Sequence, residues 1–381
     1  MSCIKICGGR VLDPVSRRDE YADVFIRDGL IAPVPAGEPD ADTAVIDASG
    51  LLVTPGWVDA HLHIYPLLPS GVPAEAVCFS TGVTTAVDAG SAGCGTYPLY
   101  RPFLQMAKLR TKAFLNVATA GIISHPLPEN VDPAAMDPVR IRDVVQACPE
   151  IVGLKVRCSR SIVGSFGLEP LDACIRIADG LGLPVMVHPT DPPCRMEEIT
   201  DRLRPGDILS HVFHNIGPSI LDEHGHVSAG IRKARERGVL FDAANDRRHF
   251  GFSTAVPALR EHFYPDLITS DLTGLDMFRY PTVFSLPMLA SKYLNLGMSL
   301  SDILERVIRI PAEVMGLAAE SVCLQPGSPA DVSVFRLEEK KVTFGDRNFS
   351  DPACSLMEGS TVIKPLLTVR SGQIVFRDLS L

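Results

Sequence analysis

The sequence predicts an α/β protein: a (β/α)8 TIM barrel with a small β-sandwich domain built from both chain ends. Three observations lead there. Short apolar runs alternate with helix-length segments from residue 57 to 317, β-prone pieces joined by turns fill residues 1–56, and similar β character returns over 318–381. The 381 residues exceed a single small domain, and 46% apolar against 21% charged residues is a balance that buries a large core.

At the N-terminal end, residues 4–7, 22–26 and 44–46 are β-prone, and Asp28-Gly29 is a hairpin signal between 24–27 and 30–34. Eight barrel strands are expected at 58–63, 84–88, 112–118, 151–156, 184–188, 207–211, 239–242 and 267–270. Eight strand-then-helix units over roughly 250 residues are what a closed parallel barrel requires. Helices are expected at 99–110, 170–181, 229–237 and 254–262, then at 299–310 and 311–317, with Pro311 suited to a helix start. Tail strands follow at 331–336, 362–369 and 373–376, so residues 1–56 and 318–381 make the sandwich domain and 57–317 the barrel.

Composition removes several function classes. With 45 acidic against 36 basic residues the net charge is −9, which disfavours nucleic acid, whose binding rests on clustered Lys and Arg. Every apolar run is interrupted before it could cross a bilayer, and the first ten residues lack the apolar core of a secretory signal. A cytosolic location with neither membrane nor nucleic-acid partners is expected. The ten cysteines include no CxxC pair, so they read as small core residues rather than as disulfides or a thiolate zinc site.

The chemistry is carried by Pro55-Gly56-Trp57-Val58-Asp59-Ala60-His61-Leu62-His63. Side chains alternate across a strand, so His61 and His63 point to one face at the strand's end and make half of a metal site. In a parallel barrel all C-terminal strand ends open on one mouth. The later strands supply further ligand types there: Lys155 in strand four, His188 closing strand five, His211 closing strand six and Asp271 after strand eight. A lone histidine at a strand end is more often a satisfied polar residue. Four imidazoles and a carboxylate at the strand ends of one barrel point instead to a metal centre, histidine being the commonest metal ligand.

An HxH pair, a strand-four lysine, two later histidines and a strand-eight aspartate together resemble the amidohydrolase superfamily, in the branch of dihydroorotases, hydantoinases and related deacetylases. The tail Pro326-Gly327-Ser328-Pro329-Ala330-Asp331-Val332 is similar to that family's return to its sandwich domain. Nearest in pattern are proteins labelled dihydroorotase that look like deacetylases of small α-acyloxy or N-acyl carboxylates. The resemblance implies a binuclear centre, commonly zinc, with His61, His63 and Asp271 on one ion, His188 and His211 on the other, and Lys155 bridging them as a carbamate. Two such cations lower the pKa of a shared water from 15.7 to about 7, and Asp271 then serves as general base and acid.

Around this centre, Arg157 shares the face of Lys155 and is suited either to a substrate carboxylate or to a rim salt bridge. Ser91 and Tyr97 lie in or beside the glycine-rich loop after strand two, where substrate contacts belong, Tyr97 as a phenol donor to the carbonyl. After strand seven, relatives show a Gly-His-Gly type loop, whereas this chain reads Asn245-Asp246-Arg247-Arg248-His249-Phe250-Gly251. That departure leaves the metal chemistry in place and puts the substrate in question, with Arg247, Arg248 and His249 as an alternative anion site or a solvated turn. His125, His214, His224, His226, His249 and His262 receive no metal-ligand role. The expected activity is metal-dependent hydrolysis of an amide or ester bond in a small, anionic substrate by an enzyme that could be a homo-oligomer. A mononuclear deaminase of the same superfamily and a non-catalytic hydantoinase-like assembly protein are the alternatives; Lys155 counts against the first and the full set of ligand positions against the second.

Overall fold

In the computed structural model, which describes residues 3–37, 41–66, 68, 70–124, 128–347 and 354–381, the alternation after residue 57 forms a curled sheet of seven parallel strands. They are Trp57–Leu62, Val83–Gly93, Arg110–Asn116, Ile151–Arg157, Val185–His188, Ile208–Leu209 and Leu240–Phe241, each paired with the next in chain order. The first two are buried along their whole length, as strands covered on both faces are. The eighth expected strand, 267–270, is not a regular strand. Its backbone nonetheless closes the ring, through isolated parallel bridges of Leu267 to Asp242 and Leu272 to Leu62. The ladder is broken between them because the Ser270 N–H is taken by the carboxylate of Asp59 at 3.1 Å.

Alternation along the strands separates an apolar floor from a polar mouth. Phe114, Met186 and Leu240 each stand two residues before Asn116, His188 and Asp242, hence on the same face one step deeper. With Ala60, Val87, Ile208, Leu267 and Met315 they form one apolar cluster. Ordered side chains fill this floor, so the polar residues above it open only toward the mouth.

The helices follow their sequence signals closely. Glu169–Leu181 ends on Gly182 at φ 64, the left-handed cap that glycine adopts without strain. Ala229–Glu236 begins at Ser228, whose side chain accepts from the Ile231 N–H. Pro311 does not start a new helix. It continues one that began at Leu300, and a π-helical turn over Glu305–Arg309 accommodates the missing proline N–H.

Both chain ends enter a second, eight-stranded sheet: Gln373–Arg377, Leu356–Arg370, Val332–Gly345, Leu52–Pro55, Cys3–Asp13, Arg18–Arg27 and Leu30–Ala32 in order, with Thr43–Asp47 beside Cys3–Asp13. The expected hairpin forms with Asp28 at φ 52 and Gly29 at φ 83, two successive positive values of the kind a tight hairpin turn demands. Cys3–Asp13 pairs with Thr43–Asp47 along its first half and with Leu52–Pro55 along its second. The sheet therefore forks and encloses its own core, which includes Ile6, Val24, Val53, Val332 and Leu367.

Lys292 ties this sheet to the barrel. It is 1% exposed on the helix Leu286–Asn295, donates to the Gly345 carbonyl at 3.1 Å, and places its Nζ 4.3 Å from the Phe250 ring centroid. Burial pulls its pKa from 10.5 to about 7. The folded state thus binds fewer protons at Lys292 than the unfolded state between those values, so stability from this group is complete above pH 10.5 and is lost as pH falls toward 7. In Lys292→Met, urea denaturation between pH 7 and 10 is expected to show a shallower rise in unfolding free energy than the native chain; parallel curves would mean that the lysine is not held neutral.

Candidate metal centre

Backbone contacts at the ring closure set the first group of donors. The Asp271 N–H donates to the His61 carbonyl at 2.7 Å and the His63 N–H to the Leu272 carbonyl at 3.0 Å. The side chains then converge: Asp271 Oδ1 lies 3.4 Å from His61 Nε2 and 3.3 Å from His63 Nε2. One donor atom from each of the three falls within 4.8 Å of the others. Asp271 and His211 hold positive φ values of 51° and 56°, a backbone strain that non-glycine residues retain mainly at functional sites.

The opposite ring nitrogens are occupied, which fixes which atoms face the cavity. His61 Nδ1 is 2.8 Å from Asp242 Oδ2, and His63 Nδ1 is 2.8 Å from Ser91 Oγ. His211 Nδ1 donates to the Ala244 carbonyl at 2.7 Å, which leaves its Nε2 as the lone-pair atom. That Nε2 is buried without a hydrogen-bond partner among the described residues. A second group of donors, His188, His211 and His249, also lies within 4.8 Å.

Lys155 is 3% exposed, and its Nζ stands 3.3 Å from His61 Nε2. It reaches this position along Gly90, where any Cβ would come within 2.5 Å of the Lys155 Cβ and where φ is +86°. Burial pulls the Lys155 ammonium below its usual range, and pulls His61, His188, His211 and His249 well below theirs. Neutral imidazole is the form that ligates a cation. Burial also pushes the carboxyls of Asp59 and Asp242 up. Neutral nitrogen donors, one carboxylate and an unpartnered buried lone pair fit a divalent cation of the zinc type.

Most of these nitrogen donors and Asp271 line one cavity of about 410 Å³, together with Arg157, Asp246, Arg247 and Arg248. The structure brings His61, His63, Lys155, His188, Asp271 and His249 to it, with His211 fully buried directly behind, its ring against those of His61 and His188. Two expected contacts are corrected. Tyr97 lies outside the cavity, because the second strand runs on to Gly93 and Tyr97 opens the helix Tyr97–Met106, where its hydroxyl meets Glu150 at 3.3 Å. Ser91 is fully buried beneath His63 and orients that ring rather than a substrate. Arg157 lines the cavity and pairs with Glu129 at 3.1 Å. Among the other histidines, His214 is buried with Nδ1 3.1 Å from the Ile216 carbonyl, His224, His226 and His262 are exposed, and His125 lies outside the described residues.

Asp242, Glu129 and Asp246 were not singled out from the sequence. Asp242 closes the expected strand seven and was within reach of the same strand-end logic that found His188 and His211. Glu129 and Asp246 sit in loops whose sequence carries no such periodicity.

No protein-family model matches the chain. A curated deacetylase of Agrobacterium fabrum is 36% identical over 332 residues, 84% of this chain and 79% of that protein. A deacetylase of Brucella anthropi is 34% identical over 346 residues, 88% of this chain and 84% of its own. Among solved structures, a dihydroorotase aligns with TM-score 0.88 and 32% identity over 99% of this chain and 98% of that one. An adenine deaminase aligns with TM-score 0.88 and 26% identity over 99% and 100%.

If Asp242 holds the His61 ring for a cation, Asp242→Asn is expected to weaken zinc binding by about 10- to 100-fold. Competition against a chromophoric chelator measures this, and native affinity in the variant would assign Asp242 a purely structural part.

Proposed function

The chain belongs to the amidohydrolase superfamily, and on that premise we propose that it is a metal-dependent deacetylase cleaving an ester or amide bond of a small carboxylate-bearing molecule. The observation that carries this reading is the meeting of His61, His63, Asp271 and His188 around Lys155 in one cavity, with the His211 ring packed behind against His61 and His188. His61, His63 and Asp271 would hold one divalent cation, His188 and His211 a second, with Lys155 shared between them as its carbamate. Carbamylation matters because an ammonium repels a cation, whereas the carbamate is an anion with two oxygens. Zinc ions bound there would supply an acidified water and a polarised carbonyl.

The chain's own groups do the rest. Asp271 has its carboxylate against both His61 and His63, in place to take the proton of the attacking water and return it to the leaving oxygen or nitrogen. The apolar floor shuts bulk water out from below, which strengthens each charge interaction above it. Three arginines line the cavity, and two of them are engaged: Arg157 with Glu129, and Arg247 with Asp276 at 3.3 Å. Arg248 is exposed, with no ion pair found among the described residues, and this favours it over Arg157 as the reader of a substrate carboxylate.

A deaminase reading has the 26%-identical adenine deaminase structure in its favour. The lysine among the ligands favours the binuclear hydrolase instead. We place the enzyme in the cytosol; no helix among the described residues is long and apolar enough to cross a membrane.

A screen of N-acetyl amino acids, α-acetoxy acids, hydantoins, dihydroorotate and adenine is expected to show acetyl release. A chelator should abolish that release and zinc should restore it, while full turnover by metal-free protein would refute the mechanism. Arg248→Met should raise KM for carboxylate substrates by about 10- to 100-fold, the worth of a charge-assisted hydrogen bond of roughly 1.5–3 kcal/mol. Neutral acetyl esters should be little affected; an equal rise for both would remove Arg248 from carboxylate recognition.

A further inference from the structure

His249 stands where the sequence pattern allows only a loop residue, yet it is built into the donor cluster. Its ring centroid lies 4.3 Å from that of His211 and 4.7 Å from that of His188, and the His188 and His211 centroids are 4.3 Å apart. One ring nitrogen of each falls within 4.8 Å of the others. Two ring nitrogens on neighbouring rings, His211 Nε2 and His249 Nδ1, are buried with no hydrogen-bond partner among the described residues. Unpartnered buried polar atoms are rare, and a pair on adjacent rings calls for something that both can bind.

The loop that carries His249 is anchored, not a solvated turn. Ala244 and Asp246 hold positive φ values of 33° and 42°. The Arg248 N–H donates to Asp246 Oδ1 at 2.8 Å, the His249 N–H to the Asn245 carbonyl at 3.2 Å, and the Tyr293 hydroxyl to Asn245 Oδ1 at 3.1 Å. Such local strain persists only where its surroundings over-determine it, and here it delivers one ring to two others.

We propose that His249 is a metal ligand, completing with His188 and His211 a three-imidazole site that holds a zinc-type cation even when Lys155 is not carbamylated. This rests on the metal-dependent hydrolase reading and adds to it a ligand outside the strand-end set. Three neutral nitrogens with a position left open suit zinc or cobalt, whereas magnesium and calcium call for oxygen donors. The consequence is an order of loading: one cation binds without carbon dioxide, and carbamylation of Lys155 follows on a site already half filled.

The test is a zinc and cobalt titration of metal-stripped protein in bicarbonate-free buffer, read by elemental analysis and by cobalt visible absorption. Lys155→Met is expected to keep about one equivalent of metal, and Lys155→Met with His249→Asn to bind it at least about tenfold more weakly. His249→Asn alone should change the cobalt spectrum, which gives a readout independent of whether the double variant folds. Equal affinity in the single and double variants with an unaltered spectrum in His249→Asn would overturn the proposal and leave the hydrolase reading standing. Absence of any bound metal in the native chain would overturn both.

Discussion

One backbone hydrogen bond, from the Asp271 N–H to the His61 carbonyl, does two things at once. It helps close the parallel ring where the eighth strand is too irregular to form a ladder, and it sets the Asp271 carboxylate against the His61 and His63 rings. Closure and site geometry are therefore the same contact. A barrel that opened at this seam would lose its donor set before it lost its core.

What the closed ring then makes is a sharp polarity boundary. Below it lies an apolar cluster, and above it stand buried nitrogens whose neutral form is favoured by desolvation. Asp242, Ser91 and the Ala244 carbonyl each occupy the outward nitrogen of a histidine, so the inward lone pairs are left facing one another. Left alone, such an arrangement is costly, and a bound cation would offset that cost.

The outer wall of the cavity belongs to a different layer. The loop after Leu240–Phe241 supplies Arg247, Arg248 and His249 to the cavity. His61, Lys155 and His188 come from barrel strands, while Arg247, Arg248 and His249 come from a strained loop pinned by Tyr293 and by the packing of Lys292 on Phe250. Solved structures of a dihydroorotase and an adenine deaminase share this architecture, so one scaffold carries different chemistries.

Much of this was legible in the residues alone. The strand–helix alternation, the Asp28-Gly29 hairpin and the gathering of His61, His63, Lys155, His188, His211 and Asp271 at one end of the ring follow from period and position, because a parallel barrel sends all strand ends to one mouth. Tyr97 and Ser91 were misread because the second strand runs five residues past its expected end, moving both out of reach of the cavity. His249, Asp242 and Glu129 found their partners only in three dimensions. Their contacts join residues from separate elements, and which ring nitrogen is capped, which arginine is already paired and which loop is strained depend on neighbours that no local sequence pattern encodes. Which strand-end histidines share one mouth was thus written along the chain, and which way their ring nitrogens face was settled by folding, since a lone pair's direction is a property of what surrounds the ring.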